Sequence, residues 1–294
     1  MTKYILIFIM FSSLLSCQDR DKPIDIESIN GYDFRLFQST NAWELAKAIE
    51  DQDLGLISDI VKSDTVDINT IEPKYGQTLL MLSILTDKYD SFIKLIELGA
   101  DIHIHNHYDS SSAIHNACNY RPMLGNNLKY LTILIEKGAN VNDVSNAKQK
   151  NTPLMIASGK FHGLYSYLNM VKLLVEEGAQ INYVNYHKNY ALRESLIYDN
   201  YDISLYLLKQ GANYELPVLF KEGNIRKENG YIMETLSHKF LELGTKEYEG
   251  KMAVIQFLES KGLEYKRMKN VTGWYKKKIQ DMYPDSWEEY LKVY

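Results

Sequence analysis

The feature that most constrains this sequence is an apolar helical run that ends in Gly-Ala, turns, and occurs four times. The four runs span residues 92–103, 131–142, 171–182 and 204–215. Their glycines are spaced 39, 40 and 33 residues apart: Gly99, Gly138, Gly178 and Gly211. A period in this range indicates an array of stacked structural repeats. Because such an array offers a long surface and no built-in catalytic cleft, the pattern favours a binding function.

A second motif precedes each Gly-Ala and predicts the first helix of each unit. The best copy is Thr-Pro-Leu-Met-Ile-Ala at 152–157, and Ser-Ala-Ile-His-Asn-Ala at 112–117 keeps the His and the final Ala. Residues 78–83 and 190–195 are weaker copies. These segments resemble the Thr-Pro-Leu-His-x-Ala signature of ankyrin repeats. A Thr or Ser hydroxyl caps the first turn, Pro fits the first helical position, and Gly ends the second helix.

The resemblance implies an all-α fold, an ankyrin-repeat solenoid of helix-turn-helix units with loop or β-hairpin fingers. The predicted array covers residues 41–265 and ends in a C-terminal cap or tail, 266–294. Within it we predict an N-terminal cap, four repeats and a divergent repeat, at 41–73, 74–106, 109–145, 149–185, 187–215 and 216–265. The extra residues of the two longer intervals, 121–129 and 162–169, are predicted between the two helices of their units. We expect these inserted residues to lie on one side of the array. The alternative is that they are lengthened helices or loops without a role.

The N-terminus predicts export and a lipid anchor. Lys3 precedes an apolar run at 4–15, which is typical of a secretory signal and shorter than the roughly 20 residues of a membrane-spanning helix. Leu-Leu-Ser-Cys at 14–17 resembles a bacterial lipobox. We therefore expect a signal peptide at 1–16, lipidation of Cys17 and a tether over 17–40. The alternative is an ordinary signal peptide that contains a cysteine. Gln18 in place of Asp favours the outer over the inner membrane, with the array facing the periplasm or the cell surface.

The net charge limits the kinds of partner that we expect, and the cysteine count limits the disulfide bonds. The formal net charge is −5, which gives no electrostatic footprint for nucleic acid. The basic stretch 266–278 is interpreted as a solvated helix or as a surface facing anionic lipid. If Cys17 is acylated, Cys118 has no partner cysteine within the chain, and we expect a buried, unreactive thiol in a monomeric protein.

Tyrosine supplies the candidate partner-binding residues. The chain has 23 tyrosines, and several fall in the predicted fingers. Tyrosine is enriched at interface hot spots because it gives a large contact area at low entropic cost. The predicted partner-binding residues are Tyr75, Tyr108, Tyr183 and Tyr186, with Tyr214 in an equivalent loop. The alternative explanation of the tyrosine count is the compositional bias of an AT-rich genome.

No metal, cofactor or catalytic residue is predicted. His103, His105, His107 and His115 are close in sequence but lack an evident carboxylate or thiolate partner, and the resemblance assigns His115 to tying loops together. The sequence contains no G-x-S-x-G, P-loop, H-E-x-x-H or Rossmann glycine set, so we do not expect an enzyme.

Two functions remain open for a lipid-anchored ankyrin protein that binds an unidentified protein partner. Bacterial ankyrin lipoproteins include immunity proteins, which neutralise a toxic effector delivered to the periplasm, often a phospholipase. The alternative is a structural or stress-related protein of the cell envelope, of the type associated with catalase.

Overall fold

The computed structural model describes residues 20–120, 128–145, 150–159, 167–216, 218, 220–222, 225–227, 232–268 and 271–294. The chain divides into two compact units, Met1–Lys148 and Gln149–Tyr294. In the described residues no helix combines the length and apolarity that a membrane crossing requires.

The first unit is built of helix pairs. Its α-helices are α1 (Trp43–Asp51), α2 (Leu54–Lys62), α3 (Leu79–Leu85), α4 (Tyr89–Glu97), α5 (Ala113–Asn119) and α6 (Lys129–Glu136). The first helices α1, α3 and α5 pack in a row, and the second helices α2 and α4 pack beside them. This arrangement confirms the predicted all-α repeat fold.

The second unit continues the pattern and adds a short hairpin. Its helices are α7 (Pro153–Ser158), α8 (Leu168–Glu176), α9 (Ala191–Ile197), α10 (Tyr201–Lys209), α11 (Ile232–Ser237), α12 (Lys246–Glu259), α13 (Gly273–Met282) and α14 (Trp287–Val293). Strands β1 (Phe220–Glu222) and β2 (Ile225–Lys227) pair antiparallel, with Phe220 opposite Lys227.

Side-chain caps start the first helices where the sequence motif predicts them. Thr78 accepts a hydrogen bond from the Met81 amide at 3.2 Å, and Thr152 accepts one from the Met155 amide at 3.3 Å. Ser112 forms a capping box with the histidine of the motif. Each cap satisfies an amide that the first helical turn leaves without a partner.

Glycine ends the second helices in the left-handed region. Gly99, Gly138, Gly178 and Gly211 have φ values of 89°, 88°, 88° and 90°. The alanine amide after each glycine donates to the carbonyl five residues back, for example Ala179 to Leu174 at 2.9 Å. This pattern is a Schellman closure, which a residue with a β-carbon strongly disfavours. Gly262, with φ 92°, closes α12 in the same way.

Buried hydrogen bonds join consecutive helix pairs. The Ser91 hydroxyl at the start of α4 donates to the Ile49 carbonyl of α1 at 2.8 Å. In the second unit the side-chain Nδ2 of Asn200 donates to the Ser158 carbonyl at 2.8 Å. Since each bond connects one pair to the preceding one, the stacking register is fixed by polar contacts as well as by apolar packing.

The predicted tether over 17–40 is wrong in its described part, residues 20–40. Arg20 pairs with Glu50 at 3.1 Å and with Asp51 at 2.8 Å. Asp21 accepts hydrogen bonds from Trp43 Nε1 at 2.7 Å and Lys47 Nζ at 2.9 Å. Arg20 and Asp21 are therefore ion-paired to α1.

Apolar burial holds the same segment in place. A short 3-10 helix, Phe34–Phe37, packs against α1 and buries Phe34, Leu36 and Phe37. The burial of these three large side chains offsets part of the conformational entropy that is lost when the segment is ordered. The N-terminal segment is thus a part of the first unit, not a spacer before it.

Two described helices of the C-terminal region precede α13. The first, α11, ends at Ser237. The second, α12, begins at Lys246, because Thr245 caps it by accepting from the Tyr248 amide at 3.2 Å. Beyond it, α13 and α14 enclose an aromatic core of Phe240, Ile279, Tyr290 and Tyr294. The basic stretch 266–278 therefore includes the first half of a packed helix.

Lys251 on α12 is a fully buried amine. Its Nζ donates to the Lys239 carbonyl at 2.9 Å and lies 5.0 Å from the centroid of the Tyr294 ring. Burial lowers the pKa of Lys251 from 10.5 to about 7, against the attraction of Asp199. The low pKa reflects the cost of placing a charge in an apolar environment.

We predict that Gly178→Val lowers the unfolding free energy by about 1–3 kcal/mol, because valine is strained at φ 88°. The neighbouring repeats should also loosen, since each unit contacts only the next. Gly55→Val, at an exposed helical position with ordinary φ, is the matched control and should leave stability within about 0.5 kcal/mol. Denaturant unfolding measures both. Identical curves for wild type and Gly178→Val would contradict the assigned repeat register.

We predict that stability rises with pH between about 7 and 9 through Lys251. The folded pKa is about 7 and the ordinary value is 10.5, so the unfolded chain binds more protons across this window and stability increases with pH. The gain should be about 2 kcal/mol, and Lys251→Met should remove it. Urea unfolding at pH 7 and pH 9 tests this, with Lys246→Met, an exposed position on the same helix, as the control. An unchanged pH dependence in Lys251→Met would refute the assignment.

Candidate functional site: the finger tyrosines

The first unit brings two of the predicted partner-binding residues together. Tyr75 and Tyr108, from adjacent fingers, pack edge to face with ring centroids 5.5 Å apart. The amides of His107 and Tyr108 both donate to the Tyr75 carbonyl, at 2.8 and 3.1 Å. Tyr75 is half-buried, whereas Tyr108 is 76% exposed. The pair therefore presents one fixed ring and one open ring at the same place.

Buried acceptors make the backbone of these fingers rigid. The Glu72 carboxylate, which is fully buried, accepts hydrogen bonds from the amides of Lys74, Tyr75 and Gln77 at 2.7 to 3.0 Å. In the next finger the buried Asn106 side chain accepts from the Tyr108 amide at 3.1 Å. Sequence reasoning missed both acceptors, although each lies two or three residues before a finger tyrosine.

Close approach of the two fingers requires a glycine. Gly76 has φ 74°, and a β-carbon there would lie 2.6 Å from Cγ of His107. No real β-carbon contact is that short, so a larger residue would push the second finger away. Gly76 thus sets the distance between Tyr75 and Tyr108.

The second unit holds the other two predicted residues. Tyr186 is 79% exposed and packs edge to face on His187 at 5.3 Å, and Tyr183 on the same finger is half-buried. Buried Asn185 fixes this finger: its side chain accepts from the Asn189 amide at 2.8 Å and donates to Asn151 at 2.9 Å. Each unit therefore carries a tyrosine pair on a braced finger.

The tyrosine count has a structural cause that the sequence did not suggest. Seven tyrosines of the described residues are buried: Tyr120, Tyr130, Tyr167, Tyr190, Tyr201, Tyr290 and Tyr294. Tyr130, for example, packs on Phe92 at 4.9 Å and donates its hydroxyl to Asp87 at 2.9 Å. Much of the tyrosine content therefore builds the core, and only some of it is available for a partner.

The histidine cluster acquires a carboxylate partner from the following finger. His105 Nε2 lies 2.9 Å from Asp143 Oδ2, and the Ser112 hydroxyl donates to the same oxygen at 2.5 Å. His115 Nδ1 accepts from the Ser112 amide at 3.2 Å and lies 3.6 Å from Asp143. The sequence offered no sign of this pairing, because Asp143 is 38 residues from His105.

The arrangement of His105, His115 and Asp143 suits a structural link between a finger and a helix better than a metal site. Ligand atoms of His105, His115 and Asp143 lie within 4.8 Å of one another. However, the lone pair of His115 Nδ1 faces the Ser112 amide, so coordination would break the capping box of α5. Burial alone would raise the pKa of Asp143, but the hydrogen bonds from Ser112 and His105 lower it below its usual value. An ionised Asp143 thus ties a finger to the start of a helix.

The structure describes some of the other residues that the sequence singled out, and others lie outside the described part of the chain. His103 and His107 are exposed, and Tyr214 is half-buried in its loop. Cys118 is buried on α5, as predicted. Cys17 and the signal peptide at 1–16 lie outside the described residues, as do 121–127 and 162–166 of the two insertions.

The fold and the fingers define a class: a repeat protein of stacked helix pairs with projecting loops. Residues 81–185 and 114–217 match the family model described as ankyrin repeats (3 copies). The chain is similar to the mimivirus ankyrin repeat protein R664 of Acanthamoeba polyphaga mimivirus, with 38% identity over 80 residues. That match covers 27% of this chain and 48% of R664, so the chain spans about half the length of this relative.

Two solved structures share the fold. An ankyrin repeat domain, ABAYE2397 from Acinetobacter baumannii AYE, has a TM-score of 0.55 at 23% identity and covers 74% of this chain and 97% of that chain. The ankyrin repeat protein EF0377 has a TM-score of 0.54 at 19% identity and covers 75% of this chain and 98% of that chain. The family model and these structures support the ankyrin-repeat family and establish the ankyrin-repeat fold. No catalytic family is indicated, and ankyrin repeats are typically non-enzymatic interaction modules.

Proposed function

We propose that this chain is a lipid-anchored protein-binding module that contacts its partner through the finger tyrosines. Ankyrin repeats generally mediate protein–protein interaction, and one observation carries the assignment of the surface. Tyr108 and Tyr186 are 76% and 79% exposed on fingers whose backbones are held by buried acceptors. An exposed aromatic ring on a rigid backbone loses little entropy on binding, which is what an interface anchor requires.

The anchor and the packed N-terminal segment together imply a position close to the membrane. Arg20 is three residues after Cys17 and is ion-paired to α1. Three residues span at most about 11 Å. If Cys17 carries acyl chains, the first unit therefore lies near the lipid headgroups and not at the end of a flexible spacer. More than one chain would be needed for stable anchoring, because a single acyl chain holds a protein only marginally.

For the partner we propose a toxic effector delivered into the periplasm, such as a phospholipase, which the chain neutralises as an immunity protein. A membrane-held recognition module of the ankyrin type suits this role because a lipase must approach the same membrane. A deletion strain attacked by sibling cells should become sensitive, and lipidated wild type should restore resistance. Survival of the deletion strain would overturn the immunity role and favour the envelope-stress function.

We predict that removing either tyrosine pair weakens partner binding. The double variants Tyr75→Ala with Tyr108→Ala, and Tyr183→Ala with Tyr186→Ala, should each raise Kd at least about thirtyfold, the usual effect at a hot spot of about 2 kcal/mol. The partner is captured with the full chain from the producing cell, or is a toxin encoded beside this gene, and is titrated calorimetrically.

Tyr206→Ala on α10, away from the fingers, is the matched control and should bind as wild type does. Unchanged melting temperatures in the finger variants would show that the lost affinity is not unfolding. If both double variants bind as tightly as wild type, the finger surface is not the partner site.

We predict that the mature protein begins at acylated Cys17 and partitions into detergent. Cys17→Ala should abolish incorporation of labelled palmitate and leave an unprocessed or soluble form. Cys118→Ala is the control and should keep the label, since that thiol is buried. Equal labelling of wild type and Cys17→Ala would show that Cys17 is not the lipidated residue.

A further inference from the structure

The finger that carries Tyr186 in the second unit ends in a short loop closed at its base. The Asn185 amide donates to the Asn189 carbonyl at 2.9 Å, and the Asn189 amide donates to the Asn185 side chain at 2.8 Å. The Lys188 amide also donates to the Asn185 carbonyl, at 3.0 Å. Because Asn185 is buried, the three residues between the two asparagines stand on a fixed backbone.

Three exposed side chains form the tip of this loop. Tyr186 is 79% exposed, and His187 and Lys188 are exposed beside it. The ammonium group of Lys188 forms no ion pair or hydrogen bond with any residue that the structure describes. The tip therefore combines a large aromatic ring with a positive charge that no described carboxylate neutralises.

The preceding finger of the second unit adds another positive charge. Lys150 is exposed and likewise has no ion-pair partner in the described part of the chain. The side chain of Asn185 donates to Asn151 at 2.9 Å, which joins this finger to the loop that carries Lys188. The two lysines are thus held on neighbouring fingers that are fixed to each other.

The charge of these two fingers is opposite to that of the chain as a whole. Their described segments, 150–151 and 179–190, contain no aspartate or glutamate, whereas the whole chain has a formal net charge of −5. In the first unit the exposed Tyr108 is followed by Asp109, an exposed carboxylate. The two most exposed finger tyrosines therefore have neighbours of opposite charge. At physiological salt such charges act over about 8 Å, so each fingertip has its own local preference.

Both lysines occupy a position whose backbone conformation favours glycine. Lys150 and Lys188 have φ values of 51° and 62°, and each lies three residues before the start of a first helix, α7 or α9. In the first unit Gly76 and Ser110 hold the equivalent position, with φ 74° and 55°. A side chain is strained in this left-handed region, and strain of this kind clusters at binding sites. The two lysines therefore contribute less to stability than glycine would, which favours a role in binding.

We propose that these two fingertips bind an acidic segment of the partner protein, in which a carboxylate side chain lies beside an apolar one. Lys150 and Lys188 attract the carboxylates, which are the anions that protein surfaces carry, while the Tyr186 ring packs on the apolar neighbour. This inference rests on the proposed function, because it names the chemistry of the partner at the finger surface.

Selection from a phage-displayed library of random peptides tests this chemistry without a known partner. The full chain in detergent is the bait, and clones that also bind Lys188→Glu are removed. The remaining peptides should be enriched in Asp and Glu beside aromatic or aliphatic residues, relative to the unselected library. Failure to enrich any sequence, or enrichment without an excess of carboxylates, would overturn the proposal.

Charge reversal then tests the assigned lysine with a selected peptide. Lys188→Glu should raise the Kd of the synthetic peptide at least about tenfold, because repulsion replaces attraction. Lys209→Glu, an equal change at an exposed position on α10, is the matched control and should bind as wild type does. Equal affinities of these two variants would contradict the role of Lys188.

A glycine variant separates binding from folding. Lys188→Gly should weaken peptide binding severalfold while the melting temperature stays the same or rises, because glycine relieves the strain at φ 62°. Unaltered binding by Lys188→Gly would show that the charge is not used.

The double variant Tyr183→Ala with Tyr186→Ala distinguishes this inference from the proposed function. If this variant loses the partner and Lys188→Glu keeps it, the finger surface is correct and the acidic chemistry is wrong. If both variants bind the partner as wild type does, the finger surface itself is wrong.

Discussion

The left-handed glycine that closes the second helices α4, α6, α8, α10 and α12 is the constraint on which the other features depend. At Gly99, Gly138, Gly178, Gly211 and Gly262 the chain leaves the helix with φ between 88° and 92°. The following amide returns to a carbonyl of the last turn, so the direction of the next segment is set within two residues. Each finger that follows one of these glycines therefore begins at a fixed point relative to its helix pair. If the chain were flexible where it leaves the helix, the tyrosines of the fingers would have no defined position.

Buried polar groups then transmit this order to the finger tips. Glu72, Asn106 and Asn185 hold the amides of three separate fingers, and Asp143 ties another to the capping box of α5. Each group would be costly to bury without its hydrogen bonds, so these networks favour one finger conformation over many. Rigid fingers and exposed rings are the physical basis of the proposed recognition surface.

Local features were predictable from the sequence, and long-range pairings were not. The caps at Thr78 and Thr152 and the glycine closures depend on residues within five positions of one another, so their patterns are readable directly. The pairing of Arg20 with Glu50, and of His105 with Asp143, joins residues 30 and 38 positions apart. The same limitation hid the core role of Tyr130, because that role depends on which helix faces meet after folding. The tether prediction failed because the charged residues of a segment do not by themselves reveal whether they form ion pairs with a helix elsewhere in the chain.

Hydrogen–deuterium exchange of the full chain with and without its bound partner tests the recognition surface most directly. The account predicts added protection in the finger segments around Tyr75, Tyr108 and Tyr186, with exchange on the outward faces of α4 and α10 unchanged. Protection confined to those second helices, with the fingers exchanging as in the free protein, would contradict it.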